Sequence, residues 1–236
     1  MGVKSKIVVF DFETGGLDCQ KNPAVELGLI TMDQITLEEE IQYETLIKPY
    51  KSISGDPLVL EQRAFDVHGI SQARCEREGR TTEEIVRQLI ALFKKLRPPR
   101  DTTGLNKPIL SGHNVMFDVG FLDYIFKIHN EKLSDYVLSN NGQIIAWDTQ
   151  QIAGMAWNTS GEGKYNLGAC SEKAGLGNFL AHSALSDVRI TADLLRYFLR
   201  SFRQGKTTGT VSSGNSETKV KQREKIVSNH KVRFQF

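Results

Sequence analysis

The run Ile7-Val8-Val9-Phe10-Asp11-Phe12-Glu13 constrains this chain more than any other segment. Its β-branched and aromatic residues read as a buried strand over residues 6–12. Side chains two apart on a strand share a face, so Asp11 and Glu13 point the same way at the strand's end. Two adjacent carboxylates repel each other and lose hydration on burial unless a cation neutralises them. Most such pairs are solvated surface acids, because Asp and Glu are seldom buried. Here the preceding IVVF and the intervening Phe12 argue that the pair closes a buried strand. Thr14-Gly15-Gly16 follows, a turn that lets a ligand approach the backbone closely.

Two more strands are expected over residues 25–33 and 41–49, the second from the alternation of Ile41, Tyr43, Thr45 and Ile47. Thr81-Thr82-Glu83-Glu84 opens an amphipathic helix with Ile85, Leu89, Leu92, Phe93 and Leu96 on its apolar stripe, and Pro98-Pro99 stops it. Ile109-Leu110 read as a buried strand end. Helices are expected from about residue 118 to 129, near Asp148, over LGACSEKAGL, and from about 186 to 202. Strands first, then helices around a short central strand, indicate an α/β domain with a mixed sheet.

With 236 residues, 39% hydrophobic and 25% charged, the chain has room for one globular domain and a remainder. No segment approaches the roughly 20 apolar residues of a membrane span, and the N-terminus has no signal-peptide pattern. Cys19, Cys75 and Cys170 are odd in number and far apart, which suits reduced thiols in a cytoplasmic protein. The net charge of +2 is unevenly spread: residues 203–236 hold eight Lys/Arg against two Glu, or +6, leaving the first 202 residues at −4. The expected division is a domain over 1–202 and a tail over 203–236. The tail begins with the Gly/Ser/Thr-rich linker GKTTGTVSSGNSETK and ends in a basic stretch closing on Val232, Phe234 and Phe236. It reads as a grip on phosphates, as a docking peptide, or as a solvated disordered end.

Two later segments carry polar residues at helix starts. In Gly112-His113-Asn114-Val115-Met116-Phe117-Asp118, the ordinary reading of Asp118 is an acid facing a helix dipole. In Ala181-His182-Ser183-Ala184-Leu185-Ser186-Asp187, Ser186 or Asp187 reads as a cap and His182 as an ordinary half-buried histidine. Taken together with Asp11 and Glu13, the pattern is far more specific. An early D-x-E, a middle HN-x-x-FD and a late H-x-x-x-x-D resemble the DEDDh group of 3′→5′ exonucleases over residues 6–202. The matching segments are VVFDFETGG, AFDVHGIS, GHNVMFDVGFL, WDTQQIAGMAW and LGACSEKAGL…AHSALSDVRITADLL. AFDVHGIS is similar to the proofreading exonucleases of bacterial replicative polymerases. The stretch from residue 109 onward resembles ribonuclease T.

The resemblance implies a ribonuclease-H-like fold, a mixed five-stranded sheet flanked by helices. It implies that Asp11, Glu13, Asp118 and Asp187 bind two divalent ions, Mg²⁺ or Mn²⁺, with His182 as general base. Hard ions of this kind prefer oxygen ligands, and a pair of them stabilises both oxygens of an in-line displacement. Phe12, Thr14, Gly15, Leu17, His68, Asn114 and Phe117 are the expected substrate contacts, each with a packing role as the plain alternative. Asp148 reads as a neighbour of the site or an N-cap, and Trp157, Tyr165 and Asn166 as structure or rim. The expected partner is a nucleic acid with a 3′ end, single-stranded. A replication protein, polymerase or clamp, is the expected partner of the tail. DNA exonuclease activity is the first reading, RNA 3′-end trimming the second, and a non-catalytic nucleic-acid-binding module the third.

Overall fold

The computed structural model describes residues 5–98, 101, 106–157, 165–176 and 183–205. The apolar run that opens the chain is strand β1 (Lys6–Thr14). It is followed by β2 (Ala24–Asp33) and β3 (Glu39–Leu46). Three helices come next, α1 (Gln62–His68), α2 (Gln72–Glu78) and α3 (Thr82–Leu96). Thr81 and Glu84 form a reciprocal capping box at the start of α3, the arrangement that Thr-x-x-Glu favours. The rest alternates: β4 (Ile109–Gly112), α4 (Val115–Ile128), the short β5 (Ser139–Asn140) and β6 (Gln143–Ile144), β7 (Ala146–Asp148), α5 (Thr149–Trp157), α6 (Leu167–Lys173) and α7 (Ala184–Arg203).

Five strands form one mixed sheet in the order β3-β2-β1-β4-β7. β1 runs antiparallel to β2 and parallel to β4, and β4 is parallel to β7. This is the ribonuclease-H-like sheet that the resemblance implied. The period-two pattern of β1 and β2 feeds two cores. Val8, Phe10, Phe12, Leu27 and Leu29 pack with Leu89 and Phe93 of α3 and Phe121 and Ile125 of α4. Ile7, Val9, Ile30 and Met32 pack on the other face with Val188, Ala192 and Leu195 of α7. Each fully buried Leu or Ile contributes about 1.5–3 kcal/mol over an exposed one. Asp11 and Glu13 continue the row of Ile7 and Val9, so the α7 face of the sheet ends in carboxylates.

Several elements differ from the sequence expectation. α4 starts at Val115, so Asp118 is its fourth residue rather than its first. Asn114 makes the entry in the left-handed region, φ 59° and ψ 40°, a conformation that Asn tolerates better than most residues. α1, α2, β7 and the β5–β6 hairpin had no counterpart in the sequence reading. Asn141 and Gly142 both have positive φ, 48° and 81°, in the turn of that hairpin, the signature of an Asn-Gly turn. α7 extends one residue past the expected domain boundary, to Arg203, and residues 206–236 lie outside the described residues. Among the described residues, no helix is long and apolar enough to cross a membrane. All three cysteines are free thiols.

Candidate active site

The sheet's two faces deliver acids to one end of β1. Asp11 and Glu13 come from β1 itself, and Asp187 from the first turn of α7. These three half-buried residues each offer a carboxylate oxygen, and the three oxygens lie within 4.8 Å of one another. Asp118 arrives from the opposite face on α4 and is 3% exposed. Its Oδ1 accepts the backbone N–H of Phe12 at 3.0 Å. That bond places the fourth acid against the residue between Asp11 and Glu13. The four carboxylates singled out in the sequence are therefore assembled. His182 lies outside the described residues.

Among the described residues the electrostatics are those of a cluster of acids. Burial pushes the Asp11 carboxyl well above the usual carboxylate range, and the charges of Asp118, Asp187, Glu13 and Glu26 push it further. Glu13 is pushed up to about 7, by burial first and then by Asp187 and Glu26. Asp118 is also raised, chiefly by burial, although the Phe12 N–H opposes the shift. Oxygen donors converging under mutual repulsion fit a hard divalent cation, which takes carboxylates as ligands and relieves the repulsion. On donor type and spacing the residues present suit such an ion.

The expected substrate contacts divide into those that face outward and those that the fold uses. Leu17 is 85% exposed, just beyond the end of β1. Asn114 is exposed, and its side chain makes no capping hydrogen bond. His68 ends α1; its Nδ1 accepts the Ile70 N–H at 2.9 Å, and the Thr14 backbone acts on its ring, which places it beside the end of β1. Burial lowers its pKa, which favours the neutral ring. Phe117 is half-buried and packs on Phe121 with ring centroids 5.1 Å apart.

Phe12 and Gly15 differ from expectation. The Phe12 amide is taken by Asp118, and its ring is 5% exposed, edge-on to Phe10. The Gly15 N–H donates to Pro23 O at 2.6 Å, and the Thr14 hydroxyl donates to Gly16 O at 2.8 Å. A Cβ on Gly15 would stand 2.7 Å from Pro23 Cδ, and one on Gly16 would stand 2.4 Å from Asn22 Cγ. These glycines allow the chain to close on itself, so the turn is packed by Pro23 and Asn22.

Supporting residues fill in the rest. Asp148 serves in both expected ways. Its Oδ1 caps α5 through the N–H groups of Gln150 and Gln151 and also accepts the Asn114 N–H at 3.0 Å. It thereby fixes the entry to the helix that carries Asp118. The cap of α7 is Ser183, whose Oγ accepts the Ser186 N–H, rather than Ser186 or Asp187. Asn166 caps α6, and the Tyr165 carbonyl accepts from Gln150 and stands 2.7 Å from His113 Nε2. Trp157 packs against Phe198 in the core beneath α7. Glu26 is a buried acid that the sequence reading missed. It stands directly opposite Glu13 in the β1–β2 ladder and is 6% exposed. The signal was an acid set between Val25 and Leu27 in an apolar strand.

Known proteins resemble this chain over most of its length. The model of a family described as "Exonuclease" matches residues 8–195. A PolC-type DNA polymerase III from Thermotoga petrophila is 30% identical over 200 residues, covering 84% of this chain and 12% of that protein. The chain thus spans about an eighth of the length of the PolC-type relatives it matches. Ribonuclease T from Buchnera aphidicola is 27% identical over 210 residues, covering 86% of each chain. Among solved structures, E. coli exonuclease I in complex with a dT13 oligonucleotide superposes with a TM-score of 0.66 at 19% identity. That match covers 86% of this chain and 42% of the other. It supports the fold.

Proposed function

The chain belongs to the exonuclease family, and we propose that it is a divalent-metal-dependent 3′→5′ exonuclease that releases nucleoside monophosphates from a single strand. The observation that carries this reading is the convergence of Asp11, Glu13 and Asp187 oxygens within 4.8 Å, with Asp118 bonded to the strand between the first two.

Asp11, Glu13, Asp118 and Asp187 would hold two Mg²⁺ or Mn²⁺ ions, which neutralise phosphate charge and stabilise the oxygens of an in-line displacement. Each carboxylate is carried by a strand or by the first turn of a helix, so the fold fixes where it stands. Asn114 and His68 offer polar groups to the sugar and phosphate of the terminal nucleotide. Leu17 offers an apolar contact to its base. His182, two residues before α7, would take the proton of the attacking water as general base. Water adds to phosphorus, the bond to the preceding 3′ oxygen breaks, and that oxygen leaves and takes a proton from solvent water to become the new 3′ hydroxyl.

DNA is the first substrate we propose, with a proofreading or repair role in keeping with the PolC-type relatives. RNA 3′-end trimming is the second reading. It is favoured by the ribonuclease T relative, which matches over 86% of its own length. The tail over 203–236 we propose as a docking segment for a replication protein, polymerase or clamp. The test is digestion of matched DNA and RNA strands, single and double, labelled at either end, with Mg²⁺. A 5′ label should appear on a ladder of shortening fragments, and a 3′ label should appear at once as mononucleotide. The reverse pattern, or internal cuts, would overturn the reading, and the relative rates on DNA and RNA choose between the substrates.

A further inference from the structure

Glu26 has a contact that packing alone does not explain. Its Oε2 accepts the backbone N–H of Ala184, the first residue of α7, at 3.0 Å and across 158 residues of sequence. The first amides of a helix have no partner within it and need one from elsewhere. In α7 the Ser186 amide is met by Ser183 Oγ and the Asp187 amide by Ser183 O. The Ala184 amide is met by β2. Two residues along the same face of β2, Gly28 lies directly under the helix start. A Cβ there would stand 2.6 Å from Ala184 C and Leu185 N. The sheet thus grips the first turn of α7 at two points, one by hydrogen bond and one by the lack of a side chain.

Asp187 lies three residues after Ala184, on the same side of the helix. Fixing the Ala184 amide therefore fixes the direction in which Asp187 points toward Asp11 and Glu13. We infer that Glu26 is a positioning residue: by holding the first turn of α7 against β2, it brings the Asp187 carboxylate within reach of a cation shared with Asp11 and Glu13. This inference rests on the metal-dependent reading above. It also gives a reason for a fifth acid beside the four carboxylates. The charge strengthens the bond to the helix amide.

The test compares the full chain with Glu26→Gln and Glu26→Ala. Mn²⁺ binding is measured by calorimetry well below the melting temperature of each variant, and thermal unfolding is measured without metal. Gln keeps an oxygen that can accept the Ala184 N–H, whereas Ala keeps none. Mn²⁺ affinity should fall about 10–100-fold in Glu26→Ala, the usual loss when a ligand's supporting group is removed, and stay within about threefold of wild type in Glu26→Gln. A Glu26→Ala protein that melts earlier yet binds Mn²⁺ as wild type does would overturn the inference, leaving Glu26 a stability residue only. Equal losses in both variants would overturn it too, because the carboxylate itself would then be what the ion needs. Wild-type protein that binds no Mn²⁺ would overturn the metal-dependent reading, and the inference with it.

Discussion

Asp118 of α4 is hydrogen-bonded through Oδ1 to the backbone N–H of Phe12, 106 residues earlier in the chain, at 3.0 Å. One side chain thus does two things. It ties a helix to the strand that carries Asp11 and Glu13, and it adds a carboxylate beside them. The two roles separate by mutation. Asp118→Asn keeps an acceptor for Phe12 and removes the charge. It should abolish measurable exonuclease turnover and, without metal, melt at or above the wild-type temperature. Asp118→Ala leaves a buried N–H unmet and should be about 1–3 kcal/mol less stable than the Asn variant. Thermal unfolding in chelator, alongside a turnover assay, checks both parts.

The raised carboxyl pKa values fix the sign of a pH effect on the metal-free protein. Glu13 is pushed up to about 7 in the folded chain, whereas a glutamate in an unfolded chain titrates near about 4.3. Between these values the folded state holds the extra proton. Its contribution to stability is therefore full below the unfolded pKa and is lost as pH rises through the folded one. In chelator, the urea midpoint should fall between pH values on either side of that window, and Glu13→Gln should flatten the fall. Added Mn²⁺ should raise the midpoint most at the alkaline end, where the carboxylates are charged. A midpoint that rises with pH in chelator would contradict the burial of these acids.

The proposed reaction gives the proton transfer to His182. His182→Ala should cost roughly 10²–10⁴ in single-turnover rate, the range for a positioned general base, while strand affinity in Ca²⁺ changes little. A variant with the wild-type rate would remove His182 from the reaction.

Asp148 is a contrasting case, an acid near the site with structural bonds to Asn114, Gln150 and Gln151. Asp148→Ala should destabilise the fold by about 1–3 kcal/mol through lost capping and an unmet amide. Well below its melting temperature it should retain turnover that the Asp11, Asp118 and Asp187 variants lack. Turnover as low as theirs, in a folded protein, would place Asp148 among the ligands.

The parts of this structure legible in the sequence are those where one physical rule dominates. β1 was readable because an apolar run is ended by two acids of the same parity, and α3 because Thr81 and Glu84 bracket its start. The four carboxylates were picked out by the family resemblance, and the fold brings them to one end of β1. Residues set by tertiary contact were harder to read. Phe12 is an expected substrate contact through its amide or its ring, but its amide is claimed by Asp118, which arrives from another helix. Gly15 and Gly16 suggested an open turn, yet Pro23 and Asn22 fill the space. α1 and α2 have seven residues each, too few to show a helical period. Asn141-Gly142 is a hairpin signal by itself, with both residues at positive φ. Glu26 was visible as an acid in an apolar strand, but its partner Ala184 is fixed only when α7 packs on β2.

The most direct test of the central claim is single-turnover digestion of a 5′-labelled single strand by wild type and Asp11→Asn, each in chelator and at saturating Mg²⁺. The metal centre proposed at Asp11, Glu13, Asp118 and Asp187 predicts a ladder of fragments shortening from the 3′ end for wild type with Mg²⁺. It predicts none for wild type in chelator and none for a folded Asp11→Asn protein in either condition. A ladder from wild type in chelator, or a wild-type rate from Asp11→Asn with Mg²⁺, would contradict it.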